Sequence, residues 1–470
     1  MNRQQRYALM VLMLAGFVTI FDLFVVNVAL VSIENSFNSS FTALTLIIVI
    51  YELGFGLLLI TGGRLGDIHG PKSLYRIGML CFMLASLGCA IALSSNALIL
   101  ARLLQGLAAA LLFPQVYASI RYNFNPQQAK TAFAFLGMSL GLAAIAGQVV
   151  GGLLIELDLF GLSWRSIFLI NLPIGGLALY WSKYLNSQKS AEKISLDGFG
   201  IVLSSIGISL SLIPILMMPI WGWTWLSSAV LIFGLLFISG FIKYEIRHQQ
   251  QGKTPLLAVG LFKNKSFVLG ILIVLCIYAT SSAFPFMMTM LFQRGLELSA
   301  FQSGLLFMPA SIGFVAASFL TPRWQQRFGN RVLLLGAICY AMSYLILMLL
   351  VGQWAMVQPI WIFIPLMFLV GFSQGMLMTP MLNLVLATVD LKLIGMASGL
   401  TATLQQVGAA LGAAVVGSIF QLSLKHFAEL ETLIKLEKAF ALSLGFNVVV
   451  VVIACYLFTR ILKAQYLLNP

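Results

Sequence analysis

The sequence predicts an all-α membrane protein of fourteen spans: two six-helix bundles, two further transmembrane helices inserted between them, and both termini cytoplasmic. Three observations carry this. The 470 residues are 60% hydrophobic and only 9% charged, with a mean hydropathy of +1.00, far from the composition of a soluble domain. Apolar runs of about 20 residues, the length that crosses a bilayer, recur along the whole chain. The cations alternate sides in step with those runs.

The runs fall at 7–30, 41–63, 73–94, 97–118, 130–155 and 164–186, then 197–216 and 226–246, then 267–293, 301–322, 330–351, 358–386, 394–421 and 440–464. The first opens like a signal peptide, but no small-residue cleavage site follows its apolar stretch, so it reads as a retained span. With the N-terminus inside, 21 of the 27 lysines and arginines fall in inner loops and ends, from Arg3 and Arg6 to Arg460 and Lys463. Five fall outside, three of them in the mixed-charge loop 422–439, and Arg102 is left within a span. Adding or removing one span would scramble this alternation. A net charge of +13 would suggest nucleic-acid binding in a soluble chain; here the charge follows the topology, and no nucleic-acid partner is expected.

The inner loop after the second span, "GGRLGDIHGPKSL", is echoed 259 residues later by "TPRWQQRFGNRVL": Arg64 matches Arg323, Gly70 matches Gly329 and Lys72 matches Arg331. Gln105-Gly106 recurs as Gln374-Gly375, and Gly147 and Gly151 as Gly408 and Gly412, so the matches keep one order at offsets of 259 to 269 residues. Two homologous halves result. The domains are then 1–190, an inserted hairpin with polar linkers at 191–252, and 253–470. Parallel duplications of this kind are an architecture of secondary transporters, which hold substrate near the midplane between repeats.

Three charged side chains lie deep within spans: Asp22, Glu52 and Arg102. A charge in the hydrocarbon costs about 3 kcal/mol or more, so each demands a reason. Spans 1 and 4 run in opposite directions, and helical rise puts Asp22 about 12 Å and Arg102 about 8 Å from their outer ends. Contact between them is therefore open. A carboxylate balanced between desolvation and a neighbouring cation can load and release a proton; the pair reads as a proton carrier tuned by Arg102, or as a static lock between two helices. Glu52, on one helix face with Thr45, reads as a second proton site, as the counter-charge for a cationic substrate, or as a hydrogen-bonded structural carboxyl. Asn27, Gln105, Gln148, Gln374, Asn383, Gln405 and Gln406 are candidate polar lining of a central path. Phe113 and Met287 supply either an adaptable apolar wall or plain packing.

Other chemistries lack their residues. Five cysteines form no disulfide or metal spacing, and His69, His248 and His426 lie in separate loops, so no metal site is expected,. "GKT" at 252–254 is not a phosphate loop, because Arg247 stands where its first glycine belongs,. The proton gradient is the expected energy source, with no cofactor. A clustered catalytic set or a ring of pore residues, which an enzyme or a channel would need, is not visible.

These motifs are similar to those of the major facilitator superfamily, specifically its fourteen-helix drug:proton antiporter branch, over nearly the whole chain. The first-span motif is matched by Asp22, Asn27, Ala29 and Leu30, with Phe24 and Val31 where threonine and proline are usual. The cytoplasmic loop signature resembles Gly63, Leu65, Asp67, Gly70 and Lys72, with Ile68 and Pro71 replacing basic residues. Arg102, Gln105 and Gly106 match the fourth-span motif; Gly147, Gln148, Gly151 and Gly152 match the fifth-span pattern with glutamine in place of proline. The most branch-specific match is "WRSIFLINLPIG", in Trp164, Arg165, Phe168, Asn171, Pro173 and Gly175. The resemblance implies a major facilitator fold and a proton-coupled exporter of small amphipathic compounds, cations among them. It would sit in the cytoplasmic membrane, with protons, a small molecule and the lipid bilayer as partners. A dedicated carrier of one metabolite or siderophore is the alternative. The resemblance also implies that Gly63, Asp67, Gly70 and Lys72 latch the halves in one conformation. Gly147, Gly151 and Gly152 offer a small-residue face, for packing or for hinging.

Overall fold

A computed structural model describes the chain apart from residues 187–196, 222, 252–254, 258, 352–359, 387–388, 390–393 and 469–470. The expected domain boundaries at 190/191 and 252/253 fall in or beside the residues left out. The side chain of Asn383 also lies outside the described residues.

In a bilayer every backbone N–H and C=O needs an internal partner, and helices provide it. The helices are α1 (Arg3–Phe37), α2 (Phe41–His69), α3 (Pro71–Ala90), α4 (Ser95–Asn123), α5 (Pro126–Glu156), α6 (Ser166–Leu169), α7 (Asn171–Trp181), α8 (Gly198–Trp221) and α9 (Trp225–Gln250). They continue with α10 (Lys265–Thr289), α11 (Ala300–Phe328), α12 (Arg331–Val351), α13 (Phe363–Leu386), α14 (Ile394–His426) and α15 (Thr432–Leu468). Their starts follow local chemistry. Asn2, Asn125 and Ser299 close capping boxes with Gln5, Gln128 and Gln302, and Ser40 and Ser94 accept the amides of Ala43 and Ala97, satisfying donors the helix leaves open.

Thirteen helices among the described residues are long and apolar enough to cross a membrane. The remaining expected span, 164–186, is present in pieces: a 3-10 turn at Ser163–Arg165, α6, α7, and a 3-10 turn at Ser182–Tyr184. Ile170 between α6 and α7 keeps right-handed dihedrals of −61° and −25°, so the helical path continues. Pro173 cannot donate to Leu169, which accounts for the interruption. Several helices run past the ends expected for their spans, α1 to Phe37, α2 to His69, α4 to Asn123 and α11 to Phe328. Residues 432–439, assigned by sequence to an outer loop, are the first turns of α15, and Glu437 is buried there.

The described residues form two compact units, Met1–Pro214 with Trp225–Leu257, and Ile215–Thr224 with Ala258–Pro470. Within the first, α1 packs on α5, α2 on α4, and α3 on α4 and α7. Within the second, α10 packs on α14, α11 on α13, and α12 on α13 and α15. The repeated glycines make these pairings possible. A Cβ on Gly106 would lie 2.2 Å from the Tyr51 carbonyl oxygen, and one on Gly375 would lie 2.4 Å from that of Phe314. Gly147 and Gly408 likewise approach the Phe21 and Leu275 carbonyls, at 2.9 and 2.8 Å. Gly70 and Gly329 both turn the chain between helices with φ of 89° and 64°, in backbone regions that only glycine enters without strain.

Candidate functional site

Asp22 lies midway along α1, on the face turned toward α3, α4 and α7. Its side chain is 0% exposed. The Oδ2 atom is ion-paired with Arg102 Nη1 of α4. Oδ1 accepts two amides, from Gln105 Nε2 and from Asn171 Nδ2, each at 2.8 Å. Gln105 follows Arg102 by three residues, so the two share one helix face and reach the same carboxylate. Asn171 arrives from the first residue of α7, beside the Pro173 interruption.

A second layer holds the donors in place. Ser86 Oγ of α3 accepts Gln105 Nε2 at 2.8 Å and Asn171 Nδ2 at 3.3 Å. Arg102 also donates to Gln105 Oε1 at 2.7 Å and to the Ile47 carbonyl at 3.2 Å. Its guanidinium sits 4.2 Å from the Tyr51 ring centroid and 5.8 Å from that of Phe168. Tyr51 is fixed in turn by donating to the Thr19 carbonyl at 3.1 Å. Burying two ions costs several kcal/mol apiece, and only dense hydrogen bonding of this kind offsets it. The cluster can do one thing that an isolated pair cannot. If the carboxylate were neutralised, Arg102 would keep the Ile47 carbonyl, Gln105 Oε1 and two aromatic faces.

Glu52, next to Tyr51 on α2, is 1% exposed. The other expected lining residues are dispersed. Gln105 belongs to the Asp22 cluster and is 0% exposed, so it lines no open path in this conformation. Asn27 is buried and donates back to Leu23 and Phe24 on its own helix, Gln148 and Met287 are buried, and Gln374, Gln405 and Gln406 are half-buried. Phe113 stands edge-on to Phe55, ring centroids 5.6 Å apart.

In the cytoplasmic loop, Gly70 N–H caps α2 through the Gly66 carbonyl at 2.8 Å. Lys72 Nζ donates to the Lys183 carbonyl at 3.0 Å and Arg76 Nε to Ser182 Oγ at 2.7 Å, tying the loop to the end of the sixth span. Gly63 and Asp67 are half-buried on the last turns of α2. Gly147 and Gly151 press on α1 at Phe21, Phe24 and Val25, the turn that carries Asp22, and Gly152 is buried beside them in α5.

Sequence reasoning placed Asp22 and Arg102 but missed Tyr51, Ser86 and the role of Asn171. A polar residue in the middle of each of spans 3 and 6 was the available signal. In the second unit the corresponding helices carry a neutral cluster: Tyr340 and Tyr344 hydroxyls lie 2.6 Å apart, and the Thr280 carbonyl accepts Tyr344 at 3.0 Å and Asn447 Nδ2 at 3.4 Å.

Comparison with known proteins bears on this arrangement. A family model described as Major Facilitator Superfamily matches residues 12–413. The chain is 32% identical over 415 residues to a probable actinorhodin transporter of Streptomyces coelicolor, covering 88% of this chain and 72% of the relative. It is 28% identical to the methylenomycin A resistance protein of Bacillus subtilis over 89% of this chain and 88% of that one. Among solved structures, the POT family transporter PepTSo superimposes with a TM-score of 0.71 at 14% identity, covering 100% of this chain and 99% of the other.

Proposed function

The chain belongs to the Major Facilitator Superfamily, and on that premise we propose that it exports small amphipathic compounds, cations among them, across the cytoplasmic membrane in exchange for protons. Asp22 is the proton carrier in this reading and Arg102 its tuning partner. The carrying observation is that Asp22 and Arg102 are buried together while Arg102 retains the Ile47 carbonyl, Gln105 Oε1 and the Tyr51 ring as further partners. A proton arriving at Asp22 would dissolve the ion pair without stranding a cation. The two amides on Oδ1 remain in place to bind the carboxylate when the proton leaves. Carboxylate and guanidinium together then form a two-state element of the kind a transport cycle needs.

The neutral tyrosine and asparagine cluster of the second unit supports assigning proton traffic to the first. The relatives named for transport of, or resistance to, an antibiotic support export of toxic or secreted small molecules. The name of the actinorhodin transporter also favours a second reading, a dedicated carrier of a single metabolite. Proteoliposomes with an imposed pH gradient and a panel of lipophilic cations and neutral antibiotics separate the two. Proton release on addition of several unrelated compounds supports broad export, and release by one compound only supports the dedicated carrier.

A further inference from the structure

Away from the Asp22 cluster, two acids meet inside the first unit. Asp197 stands immediately before α8, 8% exposed, and Glu245 lies near the end of α9, 0% exposed. Three of the donors around them are accounted for: Gly200 N–H and the Tyr244 hydroxyl donate to Asp197 Oδ1 at 3.0 and 2.8 Å, and Leu257 N–H donates to Glu245 Oε2 at 3.1 Å. The remaining oxygens, Asp197 Oδ2 and Glu245 Oε1, are buried with no donor among the described residues. They converge on one spot. A Cβ on Gly200 would lie 2.4 Å from the first and 2.7 Å from the second.

Two carboxylates cannot hydrogen-bond each other, whereas a carboxyl and a carboxylate sharing one proton can. Like charges at such range, inside protein, keep one member of the pair protonated. We propose that Asp197 and Glu245 form a proton-binding site separate from Asp22, in which one proton held between Asp197 Oδ2 and Glu245 Oε1 clasps the inner end of the inserted hairpin. The clasp joins the start of α8, the end of α9 and the segment 255–257. That segment is also held by α2, since Arg64 Nη2 donates to the Pro255 carbonyl at 3.4 Å. Among the described residues, the titratable groups beside the pair include Tyr244 and His248 of α9, their rings 5.2 Å apart, and Arg64 of α2 is the charged group held on the adjoining segment 255–257.

Release is a simple acid dissociation. The shared O–H bond breaks, the proton passes to water, and two facing carboxylates remain, so the clasp is closed at low pH and opens as pH rises. Buried carboxyl groups are documented to lose their protons as late as about pH 8 to 9.

The test uses the full-length protein in lipid nanodiscs. Infrared spectroscopy titrated from about pH 6 to about pH 10 should show a protonated-carboxyl band that disappears with rising pH. That band should persist in Asp22→Asn and be lost in Glu245→Gln and in Asp197→Asn. Amide exchange, corrected for the intrinsic rate, should show protection at Gly200 and Leu257 falling about tenfold over the same range in the wild type. It should stay level in Glu245→Gln or Asp197→Asn, whose amides donate without a titratable proton. The proposal is overturned if the band survives both carboxamide variants, or if protection in the wild type is as level as in the variant that folds.

Discussion

Asn171 Nδ2, from the sixth span, donates to Oδ1 of Asp22 on the first at 2.8 Å. One residue of the stretch that carries the most branch-specific match, 164–175, is therefore a direct partner of the buried carboxylate. Removing it leaves Oδ1 with Gln105 as its amide donor. Hydrogen bonds to charged groups contribute about 1.5–3 kcal/mol, so Asn171→Ala should lose stability on that scale in a thermal melt of the purified protein. Asn171→Ser, which keeps a donor, should lose less.

The ion pair itself predicts non-additivity. Arg102→Gln alone leaves an uncompensated buried carboxylate, which costs about 3–5 kcal/mol, whereas Asp22→Asn leaves Arg102 with the Ile47 carbonyl, Gln105 Oε1 and the Tyr51 ring and should cost less. The double variant removes both charges, so it should melt above Arg102→Gln. Additive losses in the cycle would mean that the two residues do not interact.

Close helix contacts predict which glycines resist substitution. Gly106→Ala would drive a methyl toward the Tyr51 carbonyl at 2.2 Å, and overpacking of this kind costs about 1–3 kcal/mol. Gly176 has nothing within 4 Å of its would-be Cβ, so Gly176→Ala should change stability by less than about 0.5 kcal/mol. Melting temperatures of the two variants decide this.

The cytoplasmic turn predicts a backbone cost. Gly70 has φ 89° and ψ 137°, a region where non-glycine residues are strained by about 1–3 kcal/mol. Gly70→Ala should destabilise the protein by that amount. Gly63→Ala, whose Cβ would meet only Pro114 Cβ at 3.9 Å, should not.

Much of this was legible in the sequence because lipid imposes simple rules. Span positions follow from apolar length, and side assignment from the cations. The repeat was readable because Gly70 and Gly329 serve one turn, and Gly106 and Gly375 one helix crossing, in both halves. Depth left the Asp22–Arg102 contact open, and the structure forms it. What depth cannot give is rotation about each helix. Gln105 turned out to face Asp22 and not an open path, and Tyr51, beside the conspicuous Glu52, proved to be the residue that stacks on Arg102. The burial of Glu245 was missed because an acid near the end of a span reads as solvated until the chain at 255–257 folds back over it.

The central claim is that Asp22 carries the transported proton. Proteoliposomes containing the wild type and Asp22→Asn, loaded with a pH-sensitive dye and challenged with a compound that the wild type exports, test it most directly. Substrate-driven proton movement is expected in the wild type and none in Asp22→Asn, with the variant still folded and still binding substrate. Undiminished proton movement in Asp22→Asn would contradict it and leave the Asp22–Arg102 pair as a structural lock.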